Sequence, residues 1–183
     1  EIAQTMHYTG APWLVRESRQ REEDCRMMLD ALEIRPGQKI CDLGAGNGFY
    51  TLELARMVGP EGVVYAVDIQ PEMLELLGQG TRKAGLTNVV PVLGTITDPR
   101  LGADSIDLVL LVDVYHEFSK PQEMLRSIRK SLKADGRLVL LEFRKEDPKI
   151  PILEVHKMSV AEVKQEMEAE GYAIDRVIEG LPW

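Results

Sequence analysis

The chain has 183 residues, 44% of them hydrophobic and 28% charged, with a formal net charge of −8. That length suits one domain with a substantial core, and the acidic balance argues against general attraction to nucleic acid or anionic membrane. No apolar run approaches the roughly 20 residues of a membrane-spanning helix, and Cys25 and Cys41 make neither a disulfide framework nor a metal-spacing pattern.

In chain order, residues 1–12 carry no periodicity and read as an arm. Trp13 to Leu32 reads as one helix with a polar middle, ended near Arg35-Pro36-Gly37. A short apolar run, Ile40, Cys41 and Leu43, predicts a buried strand. Gly44, Gly46 and Gly48 follow it, and Phe49 to Val58 then has helical spacing. Val63 to Asp68 is a second strand, Pro71 opens a second helix with Gly85 as its stop, and Val89 to Leu93 is a third strand whose Pro91 suits an edge. Thr95 to Ala103 is a loop. Ile106 to Val112 is apolar almost throughout, as a central parallel strand must be. Pro121 to Leu132 is a helix and Arg137 to Phe143 a fifth strand. A polar loop spans Arg144 to Lys157, and Ser159-x-x-Glu162 is a capping box for a helix to Glu170. A sixth strand is expected over Tyr172 to Glu179.

Strands alternating with helices predict a doubly wound, mostly parallel α/β sheet with helices on both faces, and ligands outside the carboxyl ends of its strands. Asp42 to Gly48, Asp68, Thr95 to Asp98, Val112 to Glu117 and Glu142 all fall on that rim. A glycine loop feeding a helix allows close backbone approach to a ligand, and the acid at Asp68 lies where nucleotide-binding sheets take ribose hydroxyls. The dinucleotide pattern G-x-G-x-x-G/A fails because Phe49 stands at its last small position. The spacing is Asp42-x-Gly44-x-Gly46-x-Gly48, with an acid that would repel a pyrophosphate and suits an ammonium group.

This stretch resembles the first motif of the class I S-adenosylmethionine (SAM)-dependent methyltransferases, (D/E)-x-G-x-G-x-G, and the resemblance extends over Gln38 to Glu179. It implies a Rossmann-like methyltransferase sheet over residues 37–183, preceded by an arm and helix over residues 1–36 that cover the site. It also implies SAM as cofactor, with S-adenosylhomocysteine as product. Asp42, Gly44, Ala45 and Gly46 would hold the methionine end. Asp68 would take the ribose, Ile69 would pack on adenine, and Gln70 and Met73 would make looser contacts. Thr95 and Asp98 match the segment that receives the adenine amino group, and Val112 with Asp113 runs beside the sulfonium.

Asp113, Tyr115, His116 and Glu142 are the candidates for a general base, His116 having the most suitable titration range. Asp113 with Glu142 resembles a divalent-ion pair, but no Asp-Asn pair follows the fifth strand, so no metal is expected. His156 reads as a solvated loop residue at the mouth of the site. The run Asp113-Val114-Tyr115-His116 lacks the prolines of the nucleic-acid amino-methyltransferase motif, which leaves a small or medium organic acceptor and no nucleic-acid partner. The chain reads most like stand-alone bacterial methyltransferases of the broad type that includes ubiquinone/menaquinone-biosynthesis relatives. A nicotinamide-dependent oxidoreductase and a non-catalytic SAM-binding protein are the alternatives. A cytoplasmic location is expected. The start at Glu1 rather than Met leaves an export signal open, and the stop at Trp183 leaves a final strand of such a sheet still to come.

Overall fold

The computed structural model describes residues 2–182. Five parallel strands form the sheet: β1 (Lys39–Leu43), β2 (Val63–Asp68), β3 (Val89–Leu93), β4 (Ile106–Val112) and β5 (Leu132–Leu141), in the order β3-β2-β1-β4-β5. The order reverses between β1 and β4, which places a crevice above their carboxyl ends. Pro91 sits on β3, an edge strand of this sheet, where its missing N–H is tolerated.

Alternation along the central strands divides the core between the two faces. Ile40, Val64, Leu108 and Leu110 point to one side and pack with α3 (Cys25–Ala31) and α4 (Phe49–Val58). The neighbouring helix α5 (Pro71–Lys83) lays Leu77 on Ala66 of the same face. Cys41, Leu43, Val109 and Leu111 point to the other side, onto Met124, Leu125 and Ile128 of α6 (Pro121–Ser131) and Met167 of α7 (Val160–Ala169). A strand buried on both faces must be apolar at every position, which is why β4 carries no alternation in its sequence. The Ser159–Glu162 capping box forms at the start of α7 as its spacing requires.

The structure corrects four sequence expectations. Trp13 to Leu32 is not one helix but α1 (Ala11–Leu14), α2 (Arg19–Glu23) and α3. Asp24 has φ 45°, a left-handed conformation that ends α2, and its side chain accepts from the Met27 N–H to cap α3. Residues 172–182 form no strand. Tyr172 instead donates its hydroxyl to the Leu125 carbonyl at 2.6 Å, and Arg176 reaches Glu33 and the Ala31 carbonyl, so side chains rather than a ladder hold this segment. The fifth strand begins at Leu132 rather than Arg137 and bulges between the two, so residues 133–136 belong to it. The 144–157 loop is partly ordered as β6 (Phe143–Arg144) pairing with β7 (Lys157–Met158) after a 3-10 turn at Glu154–His156. Among the described residues no helix is long and apolar enough to cross a membrane.

Candidate active site

The loop after β1 is built to let something approach its backbone. Gly44 has φ +76° and Gly46 φ +54°, and a β-carbon at Gly44 would meet Val114 at 2.4 Å while one at Gly46 would meet Leu14 at 2.9 Å. All three contacts are with the protein's own side chains, Leu77 of α5 in the case of Gly48; what sets Gly44 and Gly46 apart is that they border the cavity described next and Gly48 does not. Asp68, at the end of β2, accepts from the Gly46 N–H and the Gln70 N–H, both at 2.9 Å, so its carboxylate ties the glycine loop to the β2 end. Burial raises its pKa against the opposing pull of those N–H groups.

Above this rim lies a cavity of about 650 Å³, within the roughly 300–1,000 Å³ range of small-molecule sites. Its floor is made by Gly44, Gly46, Asp68, Ile69, Gln70, Met73, Thr95, Val112 and Asp113. These are nine of the positions carried over from the resemblance, converging from four strand ends. Asp42 and Ala45 lie behind the loop, on a side chamber of about 40 Å³ shared with Arg19 and Asn47. The Thr51 hydroxyl donates to Asp42 at 2.6 Å, and burial raises the Asp42 carboxyl to about 6, with the charge of Asp68 pushing the same way. The Asn47 Oδ1 atom in that chamber is buried without a partner. Asp98 falls outside both chambers. It accepts from the Arg100 N–H and the Ser127 hydroxyl and shapes the loop that presents Thr95.

The base candidates separate in the same way. Asp113 has φ 55° and lines the cavity, and burial followed by the charge of Glu142 pushes its carboxyl well above the usual range. His116 also lines the cavity, its Nδ1 2.6 Å from Glu142 Oε2. Glu142 stands behind it, its other oxygen accepting from the Tyr115 N–H. Tyr115 turns away. Its ring is buried in the core and its hydroxyl donates to Glu166 at 2.6 Å, so it contributes no group to the cavity wall.

The sequence reading expected an arm over the site but missed the parts of Arg19 and His156. Residues 2–6, Trp13 and Leu14 line the cavity from the amino-terminal side. Gln70 fastens that segment, accepting from the Tyr8 N–H at 2.9 Å and donating to the Met6 carbonyl at 2.8 Å. Arg19 is buried against both chambers, its guanidinium over Phe49 and its nitrogens on Glu23 and the Leu14 carbonyl. The only sequence signal was its four-residue spacing to Glu23, a common surface pattern. His156 is not a solvated loop residue: its Nδ1 lies 3.0 Å from His116 Nε2 and it lines the cavity. Burial and the neighbouring His116 lower its pKa. Glu117 lines the same wall, and burial raises its carboxyl to about 7.

The methyltransferase domain model matches residues 34–180. The chain belongs to the methyltransferase-domain family. Its fold is that of the class I SAM-dependent methyltransferases. A SAM-dependent methyltransferase from Aquifex aeolicus has 27% identity and a TM-score of 0.89, with 96% of this chain and 93% of that chain covered. The YcgJ protein of Bacillus subtilis has 26% identity and a TM-score of 0.65 over 80% of this chain and 67% of that one. The ubiquinone/menaquinone biosynthesis C-methyltransferase of Vibrio parahaemolyticus is 34% identical over 130 residues, 70% of this chain. This methyltransferase domain spans about half the length of such curated relatives, 48% in that case.

Proposed function

We propose that the protein transfers a methyl group from SAM to a small or medium organic acceptor. The observation that carries this reading is that the cavity does not end at the cofactor rim. Beyond Asp113 it continues between the amino-terminal arm and a wall of Phe118, Phe143, Ile152, His116 and His156, leaving room for a second molecule.

The residues present fit SAM. The left-handed Gly44 and Gly46 present side-chain-free backbone to the cavity, Asp68 offers free carboxylate lone pairs to ribose hydroxyls, and Asp42 with the unpartnered Asn47 oxygen suits an ammonium group. Ile69 and Thr95 would flank the adenine. SAM, when bound, supplies an electrophilic methyl on a sulfonium. The chain would hold the acceptor in line, exclude water with the arm, and turn His116, Glu117 and His156 toward it. The apolar share of that wall favours a largely apolar acceptor, in keeping with the quinone-biosynthesis relative.

An oxidoreductase reading is disfavoured by Asp42, whose carboxylate sits behind the loop where a pyrophosphate would need positive partners. Calorimetry with SAM, S-adenosylhomocysteine and NAD tests the cofactor half, and tighter binding of NAD would refute it. Formation of S-adenosylhomocysteine on incubation with a panel of phenols, quinols and thiols tests the transfer half.

A further inference from the structure

At the acceptor end of the cavity three potential ligands converge that the sequence scatters over 40 positions. One nitrogen each of His116 and His156 and one carboxylate oxygen of Glu117 lie within 4.8 Å of one another. All three line the cavity. We propose that they form a binding site for a divalent transition metal, best matched by zinc, with an open coordination position facing the acceptor.

The geometry supports this at three levels. His116 Nε2 and His156 Nδ1 are 3.0 Å apart, close to the roughly 3.3–3.4 Å set by two nitrogens at about 2.0–2.1 Å from one tetrahedral zinc. Glu142, 2.6 Å from His116 Nδ1, accepts a hydrogen bond from Nδ1–H, the tautomer that leaves the Nε2 lone pair turned to His156. A carboxylate behind a ligating imidazole is the usual second-layer partner of a metal-bound histidine. Two histidines and one carboxylate, finally, fill three positions of a tetrahedral ion and leave the fourth for water or substrate, the pattern of catalytic rather than structural zinc.

The two elements that carry the ligands are themselves pinned. His116 and Glu117 lie on the 3-10 turn Tyr115–Glu117, fixed by the bond from Tyr115 N–H to Glu142, and His156 closes the turn Glu154–His156, with its N–H donating to the Leu153 carbonyl. With His116 protonated on Nδ1, the 3.0 Å contact without metal is a hydrogen bond from His156 Nδ1–H to His116 Nε2; a cation would take its place as His156 shifts to the Nε2–H tautomer. Asp113 with Glu142, the pair weighed from the sequence, does not supply the set: among the described residues the ligand atoms that come together are those of His116, Glu117 and His156.

The consequence for catalysis rests on the methyl-transfer reading. An acceptor hydroxyl or thiol at the open position would lose its proton to water on binding the ion. Its oxygen or sulfur would then form a bond to the methyl carbon as the carbon–sulfonium bond breaks, the electron pair going to sulfur to leave neutral S-adenosylhomocysteine.

Cobalt(II) is the probe, because its visible bands report coordination without any turnover. Chelator-treated full-length protein should bind one equivalent of Co²⁺ with tetrahedral or five-coordinate bands, and Zn²⁺ should bleach them. His156→Ala should weaken cobalt binding by a hundredfold or more, and Glu142→Gln by ten- to hundredfold. Azide should shift the bands by entering the open position. Binding of S-adenosylhomocysteine, measured on the same samples, shows that each variant is folded and tests the cofactor reading separately. Cobalt binding that is absent, or equal in wild type and His156→Ala, while S-adenosylhomocysteine still binds, overturns the metal site and leaves the cofactor reading intact. Cobalt bands that azide leaves unmoved overturn the open position. Cobalt binding lost in His156→Ala from a protein that never binds S-adenosylhomocysteine upholds the site and overturns the cofactor reading.

Discussion

Replacing Asp68 with alanine separates a ligand role from a scaffolding role at one residue. Its carboxylate accepts two backbone N–H groups in the free protein, at Gly46 and Gln70, and faces the cavity where ribose would lie. A charge-assisted hydrogen bond contributes roughly 1.5–3 kcal/mol, so losing the ribose contact should weaken S-adenosylhomocysteine binding by about tenfold to a hundredfold. The two N–H groups border the cavity and can be rehydrated, so their loss should cost the fold only about 1–2 kcal/mol. For a chain of this size that is a fall in Tm of roughly 2–8 °C. Calorimetry and thermal unfolding on the same preparation give both numbers. A Tm that falls while affinity stays within about twofold would show that Asp68 only braces the loop, and the ribose assignment would be wrong.

Gly44→Ala should destabilise the protein by about 2–4 kcal/mol in urea unfolding, from a left-handed φ and a β-carbon overlapping Val114; a loss below about 0.5 kcal/mol would contradict the loop geometry. Asp42 has a folded pKa of about 6 against 3.8 unfolded, so between those values the native state holds a proton that the unfolded state has released. Stability from this group is therefore present at low pH and lost as pH rises toward 6, on the order of 3 kcal/mol in all. Asp42→Asn should gain on wild type across that window, and a pH-independent difference would refute the assignment. Gln70→Ala should free the arm: amides at residues 3–9 should exchange faster in the variant, whereas unchanged protection would mean that the arm is held elsewhere.

How much of this was legible depends on the range over which each feature is encoded. The unit from β1 through α4 to β2 was readable because a strand-like run, three glycines and a helical period follow one another within 30 residues. Pro71 and the Ser159–Glu162 box announced their helix starts for the same local reason. The break at Asp24 was not readable, since a left-handed aspartate looks like any charged residue in a polar stretch until its side chain is seen capping α3. Residues 172–179 are rich in strand-forming types (Tyr172, Ile174, Val177, Ile178) but find no ladder partner, and pairing is a property of the neighbour, not of the segment. At the site, most of the cavity floor was legible because its residues stand at or just beyond strand ends, whereas the meeting of His116 with His156 depends on how two loops fold toward each other. Arg19 was hidden for a related reason: its burial comes from Phe49 and the glycine loop, both far along the chain.

The clamp that Gln70 places on the arm has a kinetic meaning. Gln70 stands two residues after Asp68 and donates its own N–H to that carboxylate, while its side chain stitches the backbone at Met6 and Tyr8. The roof of the cavity is thus sewn to the shelf at the end of β2, and whatever steadies one steadies the other. Two neutral hydrogen bonds contribute only roughly 1–3 kcal/mol together, so their loss would let the empty molecule lift its roof more often without freeing it altogether, since Ala3 and Ala11 are held as well. Seating a cofactor on the shelf would make that seam tighter. Such wiring favours an order of events in which the methyl donor arrives first, the second molecule enters a chamber already shaped, and release waits for the seam to part.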